Sequence, residues 1–415
     1  MLLEFSCSNH KSIRGEVKFS ALAGTDTTYE DKLISFGDNK VLRASAIYGA
    51  NGSGKSNFID AISFMQNLVT SSINNQPGQG LYQKPHKLES YDTESRYSIT
   101  FVAQGVLYAY GFSLRNMLVY EEYLYHFPKG RQAKVFERSM DSYEEGASFR
   151  GKLSACRDVL KDNKLLLSCA ASYSSVVAIK NAFRFFTDEL VVYDSSNQDD
   201  WLKYSLYQIS ENSDMKESVV KFMQELGMGV RDIYVEIHKK KIDASELPPF
   251  LSDEFKNILI QKSVDAMTAK VIYNKFSTNL MTEESVGVKK LFSMVCPLLD
   301  IIAKGKTLVC DEIESSLHEV LVYELLRHFS SIDNNNAAQM IFTTHDTGLL
   351  NLDIFRRDQI WFTELRPEDR STDLYSLAEL KKVRKDDRFS RCYISGRYGA
   401  IPMMNLDLAS FIGSL

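Results

Sequence analysis

The feature that most constrains this chain is a glycine-rich stretch at residues 49–56, which reads Gly-Ala-Asn-Gly-Ser-Gly-Lys-Ser. It fills every fixed position of the pattern G-x-x-x-x-G-K-S/T. An apolar run at residues 46–48 leads into it, and apolar residues at helical spacing follow over residues 58–69. A strand, a glycine-rich loop and a helix in this order predict a phosphate-binding loop. A chance match of an ordinary glycine turn is a much weaker explanation.

The residue types in this loop suit a triphosphate bound with Mg²⁺. Gly49, Gly52 and Gly54 lack a β-carbon, so the backbone N–H groups can turn toward the phosphates without crowding them. Lys55 is expected to reach the β- and γ-phosphates, and the Ser56 hydroxyl is expected to bind Mg²⁺. The other expected nucleotide contacts are Ala50, Asn51, Ser53 and Asn57.

Two adjacent carboxylates end a second apolar run, at residues 307–312. A buried parallel strand whose carboxyl end faces a ligand crevice has this pattern. Asp311 would then hold the Mg²⁺ shell, and Glu312 would polarise the attacking water as general base. The alternative is a strand that runs into an acidic helix start. The phosphate loop elsewhere in the chain favours the catalytic interpretation.

Further candidates lie outside these two motifs. His345 ends an apolar run at residues 339–345, one strand–helix unit after the acids. A lone histidine is more often structural, but this position in a parallel sheet favours a contact with the γ-phosphate. Lys11, in a turn between two amino-terminal strands, is either a solvated lysine or a phosphate contact. Ser285 lies two residues before Gly287 and can cap the apolar helix that comes next.

The pattern along the chain predicts an α/β fold with a mixed or parallel sheet flanked by helices. A hairpin around residues 104–105 and strands as far as residue 138 indicate an additional antiparallel β layer. We divide the chain into residues 1–145, with the phosphate loop and the β layer, a mainly helical insertion at 146–275, and a second half of the core at 276–415.

Within the insertion, helical spacing is found at residues 159–167, 174–190 and 214–226, and a strand pattern at 231–238. The three lysines at residues 239–241 are expected in a solvated turn, and a nucleic-acid contact there is the weaker alternative. The polar residues 71–95 are expected to form a loop.

Composition narrows the class of protein. The 415 residues carry 49 Lys and Arg against 54 Asp and Glu, so no global basic field indicates nucleic-acid binding. No apolar run approaches the roughly 20 residues that span a bilayer, so no membrane partner is expected. The six cysteines are scattered without a C-x-x-C pair and no signal segment is apparent, which favours a cytoplasmic protein with reduced thiols.

Taken in order, these motifs resemble the ABC-type ATPases of the SMC/RecF/OLD group, which implies an ABC-ATPase-like P-loop core. In this resemblance residues 49–56 correspond to Walker A and residues 308–312 to Walker B. Ser285 and Gly287 correspond to the signature motif, residues 315–318 to the D-loop, and His345 to the switch histidine. The signature departs from Leu-Ser-Gly-Gly-Gln, since residues 284–288 read Glu-Ser-Val-Gly-Val.

Two further stretches are similar to the stand-alone abortive-infection ATPases of the AbiL/RloA type, from bacterial anti-phage systems. They are residues 127–138 and the sequence Gly-Arg-Tyr-Gly-Ala-Ile-Pro at residues 396–402. The pattern of this second stretch has no explanation from its residues alone.

The resemblance implies ATP and Mg²⁺ as ligands, with hydrolysis to ADP and phosphate. It also implies a homodimer that sandwiches ATP head to tail, because Ser285 would complete the site of a second copy. We expect the cycle to control a separately encoded effector, a nuclease of the RloB-like or Toprim-like kind, since no second catalytic constellation is visible. The alternatives are a RecF/SMC-type ATPase that acts on DNA directly, which leaves nucleic acid open as a partner, and a nucleotide sensor without catalysis.

Overall fold

The computed structural model describes residues 1–194, 197–241, 263–315, 319–331, 336–350, 354–381, 383–384 and 387–402. The chain forms two compact units. Residues 1–193, 301–314 and 322–415 belong to the first, and residues 194–300 and 315–321 to the second. Residues 146–193, which the sequence assigns to the insertion, thus belong to the first unit. The three-part division stays a prediction.

The described elements are as follows. The strands are β1 (Leu2–Ser8), β2 (Val17–Ser20), β3 (Ile34–Phe36), β4 (Asn39–Val41), β5 (Ala44–Gly49), β6 (Ser95–Ala103), β7 (Val106–Arg115), β8 (Leu118–His126), β9 (Ala133–Ser139), β10 (Ser142–Glu145), β11 (Leu190–Tyr193), β12 (Asp232–Lys241), β13 (Ser263–Ile272), β14 (Ser277–Asn279), β15 (Thr307–Cys310), β16 (Gln339–Thr343), β17 (Ile360–Leu365) and β18 (Thr372–Ser376). The α-helices are α1 (Lys55–Ser71), α2 (Leu166–Tyr173), α3 (Val177–Arg184), α4 (Gln198–Glu211), α5 (Ser213–Glu225), α6 (Val286–Lys304), α7 (Glu319–Phe329) and α8 (Phe389–Ile394).

The first unit contains two large sheets. One is antiparallel, with strand order β10-β9-β8-β7-β6-β1-β2, and it includes the predicted hairpin between β6 and β7. The other has the order β11-β15-β16-β5-β17-β18, in which every pair is parallel except β17 with β18. A parallel core sheet with a separate antiparallel layer is the predicted α/β P-loop architecture, and the fold class is therefore confirmed.

Helix α1 belongs to the main hydrophobic core of this unit. Its side chains Phe58, Ile62 and Met65 are almost fully buried. The Phe58 ring contacts Phe5 of the antiparallel sheet with a centroid distance of 5.6 Å in an edge-to-face arrangement. Such aromatic contacts add to the burial of apolar surface. The helix that begins at the phosphate loop is thus fixed against the antiparallel sheet.

The helix predicted at residues 159–167 is wrong over most of its length, because α2 begins only at Leu166. Tertiary hydrogen bonds occupy this segment instead. Arg138 donates to the carbonyl oxygens of Lys161 and Lys164, and the buried Asn163 amide donates to the carbonyl oxygens of two residues in the 71–95 loop. These contacts fix the segment in an irregular path that helical spacing alone does not reveal.

A buried carboxylate holds the start of α2. Glu122 accepts hydrogen bonds from the backbone N–H of Leu166 at 2.6 Å and of Leu167 at 2.9 Å, and from the Tyr110 hydroxyl at 3.0 Å. It also pairs with the buried Arg138 at 3.5 Å. Burial raises the pKa of Glu122, whereas Arg138 and these hydrogen bonds lower it. The carboxylate therefore neutralises a buried arginine and caps a helix.

We expect Glu122→Ala to lower the free energy of unfolding by about 3–5 kcal/mol, because it leaves Arg138 as an uncompensated buried charge. Urea unfolding measures this difference. The control is Glu121→Ala at the exposed neighbouring position, which should change stability by less than about 0.5 kcal/mol. Equal effects of the two substitutions would show that the buried pair has no special role.

The second unit combines helices with a small sheet. Helices α4 and α5 are followed by an antiparallel sheet of order β12-β13-β14. Asn212 caps α5, since its side-chain oxygen accepts from the N–H groups of Asp214 and Met215. The strand predicted at residues 231–238 is confirmed, but the turn predicted at residues 239–241 is wrong. These residues continue β12 and pair with β13.

None of the helices in the described part of the chain combines the length and the apolar character that crossing a lipid bilayer requires.

Candidate nucleotide site

The predicted phosphate loop joins β5 to α1. Strand β5 ends at Gly49, and α1 begins at Lys55. Gly54 has a φ of 108°, and a β-carbon there would collide with the Thr372 side chain. Gly52 has a φ of 77°. Only glycine adopts such backbone angles without strain, so these positions explain two of the glycines in the motif.

Hydroxyl groups on neighbouring strands hold this loop in place. Ser53 Oγ lies 2.6 Å from the Thr363 hydroxyl of β17, and its carbonyl oxygen accepts from the Thr372 hydroxyl of β18 at 2.9 Å. Thr372 also bonds the hydroxyl of Ser12 at 2.7 Å, and Asn57 Nδ2 donates to that same hydroxyl at 2.6 Å. The loop is therefore preorganised by residues that are distant in the sequence.

The Lys55 ammonium folds back onto the loop. Its Nζ donates to the carbonyl oxygens of Gly49 at 2.8 Å and Ala50 at 3.2 Å. Burial lowers the pKa of Lys55 to about 8, although the carboxylates of Asp311, Glu312 and Glu314 act to raise it. Lys55 thus shares one electrostatic environment with the acids at the end of β15.

Those acids are fixed through Thr343 at the end of β16. The Thr343 hydroxyl donates to Asp311 Oδ1 at 2.6 Å and accepts from the Glu312 backbone N–H at 2.7 Å. Glu312 has a φ of 47°, in the left-handed region that residues with side chains rarely adopt. Such strain costs about 1–3 kcal/mol and is concentrated at functional sites. Its carboxylate is half-exposed, and Oε1 lies 3.9 Å from Nε2 of His345.

The sequence predicts that His345 ends its strand, and it lies two residues beyond the end of β16 at Thr343. Burial lowers its pKa, and so does the charge of Lys55, whereas the acids Glu314, Glu312 and Asp311 act in the opposite direction. The histidine therefore lies in the same electrostatic environment as the phosphate-loop lysine and the β15 carboxylates.

Glu314 is a residue of this site that sequence reasoning missed. Its Oε1 accepts a hydrogen bond of 2.6 Å from the His345 backbone N–H. Its Oε2 is buried, and no hydrogen-bond partner for it is found among the residues that the structure describes. The only signal in the sequence is a further acid soon after Asp311 and Glu312, and that signal alone does not distinguish a site residue from a surface one.

Lys11 lies at the edge of the loop region and is paired. Its Nζ is 2.9 Å from Asp60 Oδ1 on α1, and Lys84 and His10 contact the same carboxylate at 3.0 Å and 2.8 Å. Burial raises the pKa of Asp60, but the three hydrogen bonds outweigh it and hold the pKa well below its usual range. Lys11 is thus not simply solvated, and its contact with phosphate stays a prediction.

The loop at residues 71–95 folds back over this edge. Asn9 accepts from the His86 N–H at 2.8 Å and donates to the Thr93 carbonyl at 3.0 Å, and the Lys11 N–H donates to the Lys84 carbonyl at 2.7 Å. A cavity of about 840 Å³ lies between this loop, the Lys11 turn and residues 369–370, which precede β18.

The signature residues lie in the second unit. Ser285 precedes α6 and caps it, since its Oγ accepts from the Val288 N–H at 3.3 Å, which confirms the predicted N-cap. The serine is exposed, and Gly287 lies in the first turn of the helix. Of the predicted D-loop, Ser315 is described, and residues 316–318 lie outside the described residues.

The donor groups present suit Mg²⁺ bound together with a nucleotide. Within the described residues, no three His, Cys, Asp or Glu side chains form a metal-binding group. Mg²⁺ usually takes one or two protein ligands, and phosphate and water oxygens complete its shell. The two predicted ligands, the Ser56 hydroxyl and the Asp311 carboxylate, are oxygen donors of the kind that Mg²⁺ takes, and their role as ligands stays a prediction.

A family model described as "AAA domain, putative AbiEii toxin, Type IV TA system" matches residues 44–223 and 224–351, well over half of the chain. The chain belongs to this family. As a member of this AAA-domain family, it carries the P-loop character of nucleotide-binding proteins, and the matched range contains the phosphate loop, the β15 acids and His345. Among curated proteins, none matches the sequence.

Several solved structures of SMC head domains are similar to this chain. A SMC head bound to the C-winged helix domain of ScpA is 15% identical, with a TM-score of 0.43, over 90% of this chain and 97% of that one. The SMC head domain from Thermotoga maritima is 16% identical, with a TM-score of 0.40, over 90% and 98%. At these identities and scores, the likeness carries no argument about activity or partners.

Proposed function

We propose that this protein hydrolyses ATP as the ATPase subunit of a bacterial anti-phage, abortive-infection system of the AbiL/RloA type. The observation that carries the proposal is the convergence of Lys55, Asp311, Glu312 and His345. They follow three adjacent parallel strands, and the acids lie close enough to Lys55 and His345 to raise the pKa of both against the effect of burial. Ligands of open parallel sheets bind at the carboxyl ends of the strands.

This arrangement supports one role for each residue. Lys55 exchanges its two carbonyl acceptors for the β- and γ-phosphates of ATP. Glu312 accepts a proton from the attacking water, and His345, 3.9 Å from that carboxylate, contacts the γ-phosphate. Mg²⁺, held by Ser56 and Asp311, would neutralise charge on the phosphate oxygens.

The nucleoside of ATP is assigned to the cavity beside the Lys11 turn. Ser12, which lines it, is bonded to Asn57 immediately after the phosphate loop, so the cavity adjoins the phosphates. Its volume of about 840 Å³ is within the range of small-molecule sites. Lys11 and Arg370 line the same cavity, and we assign contacts with the ribose and phosphates to them. The acids Glu89 and Asp369, which also line it, both pair with Arg14.

We further propose that two copies close over ATP, each lending Ser285 to the other's phosphate loop, and that this closure controls a separately encoded nuclease. The exposed serine at the start of a 19-residue helix supports this, because a helix N-terminus favours the negative charge of a γ-phosphate. The family description, which names a putative toxin and a toxin–antitoxin system, supports a role in bacterial defence.

Replacing Lys55 with Met should weaken ATP binding by about ten- to one-hundredfold, because charge-assisted hydrogen bonds to phosphate are lost. Titration calorimetry with Mg²⁺ and ATP measures this. The matched control is Lys18→Met, at an exposed lysine on β2 that pairs with Glu4 and should not affect ATP binding. Unchanged affinity in Lys55→Met would contradict the assigned site.

The competing function, an ATPase that acts on DNA directly, is distinguished by phosphate release measured with and without duplex DNA at two salt concentrations. The defence proposal expects no stimulation by DNA alone. Stimulation that falls steeply with salt would favour the DNA-acting alternative, because such a slope reports release of counterions from phosphates.

A further inference from the structure

The stretch at residues 395–402 follows the short helix α8, and its last residues face the phosphate loop. A cavity of about 270 Å³ separates the two. Its walls include the loop residues Ala50, Asn51 and Ser53 on one side and Ala400, Ile401 and Pro402 on the other. This stretch is the patterned sequence that had no explanation from its residues alone.

An aromatic cluster joins this stretch to the strand that leads into the loop. The Tyr393 ring stacks on Phe362 of β17 at a centroid distance of 5.4 Å and meets Tyr48 of β5 at 5.9 Å. Tyr48 precedes Gly49 directly, and its ring is fully buried. The Tyr393 hydroxyl donates to the Ala400 carbonyl at 3.1 Å, so the same side chain holds both the turn and the loop strand.

A second connection runs through the β17–β18 hairpin. This hairpin also contacts the phosphate loop, through hydrogen bonds to Ser53. The Tyr375 hydroxyl lies 2.8 Å from the Tyr398 carbonyl oxygen and 3.2 Å from Glu364 Oε2. Both partners are acceptors, so the single O–H of Tyr375 is shared between them. Glu364 lies on β17 next to Thr363, whose hydroxyl bonds Ser53.

The backbone of the turn is held in an unusual conformation. Gly399 has a φ of 72°, and a β-carbon there would lie 2.6 Å from the Tyr375 hydroxyl and 2.8 Å from Glu364 Oε2. Ala400 is almost fully buried and has a φ of 57°, which an alanine adopts only when its surroundings impose it. The turn is thus fitted closely to the hairpin that supports the phosphate loop.

We propose that the turn at residues 395–402 is a positioning element of the nucleotide site, which holds residues 49–53 in the conformation that accepts phosphate. The inference rests on the proposed function. Displacement of the turn would shift Thr363 and Tyr48, and with them the backbone N–H groups of the loop.

Gly399→Ala tests the proposal, with Gly105→Ala as its control. Gly105, in the turn between β6 and β7, also has a φ of 72°, but nothing lies within 4 Å of the position its β-carbon would take. Both variants place an alanine at the same positive φ, and only Gly399→Ala sets a methyl group against the β17–β18 hairpin. We expect Gly399→Ala to weaken ATP binding by about tenfold and to raise KM while kcat changes less than about twofold. Gly105→Ala should bind ATP as the wild type does.

Rescue distinguishes positioning from general damage. Tyr375→Phe removes the atom closest to the added methyl group, so Gly399→Ala should weaken binding less in that background than in the wild type. If Gly399→Ala does not fold, Tyr393→Phe tests the proposal in its place. This substitution removes the hydrogen bond to the Ala400 carbonyl and keeps the aromatic ring. It should weaken ATP binding with the melting temperature unchanged.

The outcomes separate the two proposals. Wild-type protein that fails to bind Mg²⁺ and ATP in calorimetry would overturn the proposed function. Wild type that binds, together with Gly399→Ala and Tyr393→Phe variants that bind equally well, would overturn the positioning role alone.

Discussion

Glu312→Gln is expected to reduce ATP hydrolysis by about a hundred- to a thousandfold and to accumulate an ATP-bound dimer. A general base contributes on this scale, and glutamine keeps the size of the side chain while it cannot accept the proton of the attacking water. Because ATP is still bound, the γ-phosphate contacts that favour the closed dimer persist, and the population shifts toward closure.

Phosphate release and light scattering coupled to size-exclusion chromatography, each with ATP and with ADP, measure the two effects. The control is Glu319→Gln, an exposed acid in the first turn of α7. It should change neither hydrolysis nor the oligomeric state. A Glu312→Gln protein that stays monomeric with ATP, or hydrolyses it at the wild-type rate, would refute the mechanism.

The strands that carry this site could be predicted from the sequence, because each has a local signature. Strands β5, β15 and β16 are short apolar runs that end in residues with polar chemistry, and all three occur as predicted. Parallel neighbours place their carboxyl ends at one edge of a sheet, so the meeting of Lys55 with Glu312 and His345 follows from the motif order.

Other parts of the site depend on contacts between residues far apart in the chain, and no local pattern encodes them. Glu314 reaches the His345 backbone, and Lys11 pairs with Asp60 on α1. The conformation of the loop at residues 71–95 depends on hydrogen bonds to Asn9. In each case a polar group bonds to a residue that is far away in the sequence. The spacing of residue types along the chain does not indicate such a partner.

The same reason explains the turn at residues 395–402. Its two glycines and one tyrosine are conspicuous in the sequence, but their role depends on contacts with β17 and β18, which form only in the folded chain. Gly399 has no room for a side chain because of Tyr375 and Glu364, and neither is its sequence neighbour.

Mixing two inactive variants is expected to restore ATP hydrolysis if each site is shared between two copies. Lys55→Met removes the phosphate-loop lysine, and Ser285→Asp places a negative charge against the γ-phosphate. Aspartate is as good an N-cap as serine, so α6 should still begin normally. Each variant alone should hydrolyse ATP at less than about a tenth of the wild-type rate.

In a mixed dimer, the phosphate loop of the Ser285→Asp copy meets the intact serine of the Lys55→Met copy, and one complete site forms. In an equal mixture half of the dimers are mixed, and each mixed dimer has one complete site out of two. About a quarter of the wild-type rate should therefore return for a symmetric dimer with independent sites.

Ser285→Asn, which caps the helix without adding charge, is the control and should be less impaired than Ser285→Asp. If the mixture remains as inactive as its parts while mixed dimers form with ATP, the serine does not complete the partner's site. The shared-site arrangement would then have to be abandoned in favour of one in which each copy binds and hydrolyses ATP alone.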